Sequence, residues 1–135
     1  IYEYTYIHIH LTSEINKINP NINIHLGKYE PLNLNEFNKN KKYLVFSGIG
    51  NHQTFVSMIK KNGLEVLKDL EFSDHYTYTG KDIDRILKEA NNLNCEIITT
   101  EKDFSRLNCV NRSIIKVMKV ELKVIDENKL MNFII

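Results

Sequence analysis

From Tyr43 onward the chain alternates short apolar runs with apolar stripes at helical spacing, and this alternation limits the fold more than any other feature. Tyr43-Leu44-Val45-Phe46 is a continuous apolar run closed by Ser47-Gly48-Ile49-Gly50. A run of that length suits a strand buried on both faces within a parallel sheet. Phe55, Val56, Met58 and Ile59 then recur at helical spacing and stop at Asn62-Gly63, where glycine supplies the left-handed residue that ends a helix. Leu64 to Phe72 reads as a strand, with Leu64, Val66, Leu70 and Phe72 on one parity. Thr79-x-x-Asp82 has the form of a capping box. It opens a helix carrying Ile83, Ile86, Leu87 and Ala90, which ends at Asn91-Asn92. Cys95 to Thr99 is the next strand, and Thr100-x-x-Asp103 a second capping box, with Phe104 and Leu107 on the inner side of a short helix. Ile114 to Val120 reads as a further strand, extended after a break by Leu122 to Ile125, and Asp126 caps a last helix. Strand and helix in strict alternation predict an α/β fold: a mostly parallel sheet with helices on both faces, an α/β/α sandwich.

The first 42 residues read differently. Ile1 to His10 alternates with period two and suits a strand, with His8 and His10 on one side; no third ligand accompanies them, so no metal site is expected. Thr12 to Asn19 has the makings of a short helix ended by Pro20, and Asn21 to Lys28 alternates again. Tyr29 to Lys42 is polar and rich in Asn and Lys, a connector. The expected division is therefore 1–42, linker strands and connector, and 43–135, an α/β lobe. The chain starts at Ile1 and not at a methionine, and is expected to be a piece of a longer protein.

Charge excludes little and favours nothing strongly. Eighteen basic and 17 acidic residues leave a net charge of +1, no electrostatic footprint for nucleic acid or for strong attraction to anionic lipid. Cys95 and Cys109 lack the spacing of a metal or redox pair and are expected to be free thiols. No apolar run reaches the roughly 18 residues that mark a membrane-spanning helix.

In an open α/β sheet, ligands sit beyond the carboxyl ends of the strands. Three loops are thereby expected on one edge: Ser47 to Asn51, Ser73 to Thr79, and Thr99 to Asp103. Two of them open into helix N-termini, whose free N–H groups and partial positive charge suit an anion such as phosphate. Gly48 and Gly50 form only a short G-x-G, which serves a tight strand-to-helix turn or a close backbone approach to a ligand, with Asn51 as the helix N-cap. Asp74-His75 joins an anion to a group that titrates near neutrality. It fits general base catalysis, orientation of a catalytic carboxylate, or a plain loop hydrogen bond. Tyr76 serves a site or loop packing equally well. Thr100, Glu101 and Lys102 place a cation beside carboxylates at a helix start; capping alone explains the threonine, and Lys102 is either a phosphate contact or solvated.

Phe46-Ser47-Gly48-Ile49-Gly50-Asn51, Phe72-Ser73-Asp74-His75-Tyr76-Thr77-Tyr78-Thr79 and Thr99-Thr100-Glu101-Lys102-Asp103, in this order and spacing, resemble the C-terminal half of the tetraacyldisaccharide 4'-kinase family. The likeness departs from the family at His52 and Ser73, where prolines are usual, and at Phe104 and Ser105, where small or aliphatic residues are usual. The resemblance implies the C-terminal lobe of a two-lobe P-loop-type kinase. It implies ATP- and Mg2+-dependent transfer of the γ-phosphate to the 4'-hydroxyl of a lipid A disaccharide 1-phosphate precursor, at the cytoplasmic face of a bacterial inner membrane touched peripherally. No G-x-x-x-x-G-K-[ST] occurs in these residues, so ATP and Mg2+ are expected to bind mainly to an N-terminal P-loop lobe, with this chain inactive alone. The resemblance makes His75 the partner of a carboxylate across the cleft and has Asp74 orient the loop. Gly48, Gly50, Asn51, Tyr76, Thr100, Glu101 and Lys102 are candidate substrate or phosphate contacts. Two competing expectations are a non-catalytic α/β binding module, such as a split or decayed gene product, and a small phosphate-binding domain unrelated to lipid A.

Overall fold

The structure, a computed structural model, describes residues 13–21, 27–108 and 112–124. The strand read over Ile1 to His10, most of the one read over Asn21 to Lys28, Cys109 and the last helix from Asp126 lie outside the described residues. By their contacts, residues 29–122 form one compact unit and residues 1–28 with 123–135 another. In the second, a short helix (α1) covers residues 13–18. Gly27–Pro31 (β1) and Val120–Val124 (β6) pair as a two-stranded ribbon.

The heart of the main unit is Lys42–Ser47 (β2), flanked in a four-stranded sheet by Glu65–Glu71 (β3) on one side and Glu96–Thr100 (β4) and Ile115–Met118 (β5) on the other. All three pairings are parallel. Tyr43, Leu44, Val45 and Phe46 have no exposed surface; each such burial is worth about 2 kcal/mol against leaving the side chain in water. Side chains alternate across the sheet. Tyr43 and Val45 accordingly meet Phe55, Val56 and Ile59 of His52–Lys61 (α2). Leu44 and Phe46 meet Ile83, Ile86 and Ala90 of Gly80–Asn92 (α3). Helices therefore lie on both faces, as the alternation predicts. Crossovers of one hand require this, because β2 leads to β3 on one side while β3 leads back past β2 to β4 on the other.

α3 begins with a complete capping box: Thr79 accepts from the Asp82 amide, and Asp82 accepts from the Thr79 amide. The fourth helix, Glu101–Ser105 (α4), has five residues, with Thr100 accepting from the Asp103 amide. The Asp103 carboxylate does not return to the Thr100 amide as a capping box requires; it takes the Thr100 hydroxyl at 2.6 Å and turns inward.

β3 departs from its expected single parity. The register passes from Tyr43 opposite Val66 to Leu44 opposite Lys68, a bulge that leaves Leu67 unopposed and 43% exposed. One inserted residue reverses which face the following side chains occupy. Leu64 and Val66 thus join the α2 side, whereas Leu70 and Phe72 join the α3 side. Residues 29–42, read as a polar connector, bury Asn33 and Phe37. Asn33 bonds the Val117 carbonyl and the Lys119 amide at the break between β5 and β6.

Candidate functional site

β2 and β4 are neighbours whose crossovers leave in opposite directions, which makes their carboxyl ends the switch point of the sheet, where such folds open a crevice. A cleft of about 460 Å³ lies there. Its polar edge is formed by Gly50, Asn51, Asp74, His75, Glu101 and Lys102, and Thr100 lines it too. Its apolar wall includes Ile49, Phe55, Met58 and Met118. Seven of the nine candidates read from the sequence are thus gathered in one place, and the two that are not, Gly48 and Tyr76, stand behind it. No pocket-forming loop sequence is needed for this; the strand order alone brings the three loops to one edge.

Gly48 is enclosed. Its amide donates to Asp103 Oδ1 at 2.9 Å, its carbonyl accepts from the His75 amide at 3.1 Å, and a Cβ there would stand 2.8 Å from the Ser73 carbonyl oxygen. Here glycine is required by close approach of the next loop. Tyr76 packs in an aromatic cluster with Phe72 and Tyr78, ring centroids 4.8 and 5.2 Å away, and donates to Asp82. Gly50, by contrast, has only Asp74 Oδ2 near where a Cβ would project, at 3.9 Å.

Asn51 occupies the N-cap position of α2, but its side chain makes no capping bond. The first-turn amides of a helix have no partners within it. A ten-residue helix start without a side-chain cap, on the edge of a cleft, has the chemistry that suits an anion. The start of α4 is a weaker one: the helix is short, and Thr100 and Asp103 already satisfy each other. Lys102 Nζ forms no ion pair among the described residues and lines the cleft beside Glu101.

His75 and Asp74 lie at the mouth, with side chains 76% and 56% exposed and Nε2 to Oδ2 3.7 Å apart. His75 has φ +58°, a left-handed backbone uncommon outside glycine. Arg106 Nη2 donates to His75 Nδ1 at 3.1 Å.

Two buried groups escaped the sequence reading. Asp103 has no exposed surface and also accepts from the Tyr78 hydroxyl at 2.8 Å, so it fastens the loops after β2 and β3 to α4. Burial, followed by this hydrogen bond, pushes the Tyr78 phenol's ionisation well up. His52 is buried beneath the same edge, with Nδ1 bonded to Ser47 Oγ and Nε2 2.7 Å from Asp69 Oδ2. The β3 bulge is what turns Asp69 to the α2 face, where it can reach this ring. The two signals available in sequence were a capping pattern, which hid Asp103's inward role, and a histidine at a helix start, which had no visible partner.

An α/β domain with a ligand cleft at its switch point, polar on one edge and apolar on one wall, is what fold and site together define. A family model described as Tetraacyldisaccharide-1-P 4'-kinase matches residues 6–135. The chain is 52% identical over 127 residues, 94% of its length, to a tetraacyldisaccharide 4'-kinase of Pelagibacter ubique (strain HTCC1062). It is 38% identical over 90 residues, 67% of its length, to one of Rickettsia akari (strain Hartford), and 38% identical over 100 residues, 72% of its length, to one of Rickettsia canadensis (strain McKiel). The chain belongs to the tetraacyldisaccharide 4'-kinase family. It spans 40%, 27% and 30% of those three relatives' lengths. No solved structure matches it.

Proposed function

We propose that this chain is the C-terminal part of a lipid A biosynthesis kinase that transfers the γ-phosphate of ATP to the 4'-hydroxyl of a tetraacyldisaccharide 1-phosphate. The observation that carries the reading is the cleft itself: an uncapped helix start, Lys102 and the Asp74-His75 pair converge at the switch point of a chain of this family. Phosphoryl transfer depends on positioning and on charge stabilisation, with little covalent work for the protein. In this reading the α2 start and Lys102 face phosphate oxygens, and His75 with Asp74 orients the reacting group. The apolar wall of Ile49, Phe55 and Met58 suits an acceptor that carries acyl chains.

An N-terminal P-loop lobe of the whole protein would supply the triphosphate cradle. ATP brings the transferable phosphoryl group, and magnesium would neutralise charge on it. Among the described residues no group of three or more His, Cys, Asp or Glu is placed to hold a metal ion, so no step here runs through magnesium. Among the same residues no helix is long and apolar enough to cross a membrane; peripheral action at the cytoplasmic face of the inner membrane belongs to the proposal.

That the chain spans 40% or less of its relatives favours one second reading, a binding module without activity of its own. One assay separates them. The whole protein, given γ-labelled ATP, Mg2+ and tetraacyldisaccharide 1-phosphate, is expected to form the 4'-phosphorylated product, and this chain alone to form none. Absence of transfer by the whole protein overturns the kinase reading.

A further inference from the structure

Arg106 is tied to three segments at once. Its guanidinium lies 3.1 Å from His75 Nδ1, 3.4 Å from the Gly48 carbonyl oxygen and 3.8 Å from Asp103 Oδ1. Its side chain is three-quarters covered, which holds the fork in place. The Gly48 carbonyl it touches also accepts from the His75 amide. Backbone and ring of His75 are therefore fixed by the same small cluster, and that cluster is what maintains a left-handed φ of +58° in a non-glycine residue.

The chemistry of the contact fixes a proton. A guanidinium has donors only, and a neutral imidazole has one donor and one acceptor. Because Nδ1 accepts from Arg106, the ring proton sits on Nε2. Nε2 is the nitrogen beside Asp74, and both residues line the cleft. We infer that Arg106 is a positioning residue that locks His75 in its Nε2–H form, so that the imidazole meets the cleft as a hydrogen-bond donor to an oxyanion and not as a proton acceptor. This rests on the reading above that His75 belongs to a phosphoryl-transfer site. Arg106 is not itself among the residues that line the cleft; it reaches the cleft only through His75.

The test has two arms on the whole protein. In the first, ¹⁵N-histidine-labelled protein is examined by long-range ¹H–¹⁵N NMR near pH 8.5, about two units above the reference imidazole value, with His75→Gln assigning the ring. The parent ring is expected as the Nε2–H tautomer with Nδ1 accepting, and Arg106→Met is expected to move the Nδ1 resonance and admit the second tautomer. A parent ring protonated at Nδ1, or a His75 pattern unchanged in Arg106→Met, overturns the inference. In the second arm, His75→Ala, Arg106→Met and the double variant are compared for kcat and for ATP KM. Arg106→Met is expected to lower kcat roughly tenfold or more with little change in ATP KM, and the double variant to be no slower than His75→Ala. Multiplying losses would show that Arg106 acts apart from His75 and would sink the proposal. If His75→Ala keeps full turnover, the functional reading fails, and the tautomer measurement decides the Arg106 contact by itself.

Discussion

Asp103 is fully buried, and its two oxygens accept from the Gly48 amide, the Tyr78 hydroxyl and the Thr100 hydroxyl. Removing the carboxylate strands the buried Gly48 amide and Thr100 hydroxyl and frees the half-buried Tyr78 hydroxyl, at about 1–3 kcal/mol for each buried group left unsatisfied. Asp103→Ala is expected to lower unfolding free energy by about 3 kcal/mol or more in urea titrations; a loss below about 0.5 kcal/mol, the size of an ordinary surface change, would show that these bonds do not hold the loops. Gly48→Ala forces a Cβ against the Ser73 carbonyl. Overpacking of that kind costs about 1–3 kcal/mol, and the same titration checks it. Neither role was readable from the chain. Thr100-x-x-Asp103 looked like a local cap, and the partners that reveal its other use lie 55 and 25 residues away in sequence. His75 was legible as a candidate because a polar residue interrupted regular elements; Arg106, 31 residues on, carried no signal at all.

At the scale of elements, what was legible is what local chemistry decides. The β2 run, the α2 and α3 stripes and the Thr79-x-x-Asp82 box depend on neighbours within a few residues, and each formed close to its expected place. The β3 bulge did not show, because an unopposed Leu67 has the composition of any strand residue. α3 offers a pH test. Backbone hydrogen bonding from Thr79 holds Asp82 below its ordinary value of 3.8, and a hydrogen bond from Lys68 holds Glu89 below its ordinary 4.5. Depressed folded values mean stabilisation that is full above the unfolded values and lost as pH falls through the folded ones. Unfolding free energy is expected to be level just above those ordinary values and to decline below them, with a shallower decline in Asp82→Asn. An acid limb of equal slope in that variant would contradict the assignment. Thr79→Ala, which removes the cap, is expected to cost about 1 kcal/mol at neutral pH by the same measurement.

At the scale of the whole molecule, the strand order does the organising. The sheet places β2 beside β4, the switch point falls between them, and loops spread over more than 50 residues of chain meet there. The family match and a relative at 52% identity agree with the resemblance carried by the three motifs around Gly48, His75 and Thr100. In the proposed function, His75, held at this edge, contributes to phosphoryl transfer and not to nucleotide affinity. The most direct measurement of that contribution is kcat and ATP binding for His75→Ala in the whole protein. A kcat lower by about a hundredfold or more is expected, as for loss of a preorganised hydrogen-bond donor to an oxyanion, with ATP dissociation constant unchanged. Full turnover in that variant, or a loss traced wholly to weaker ATP binding, would contradict it.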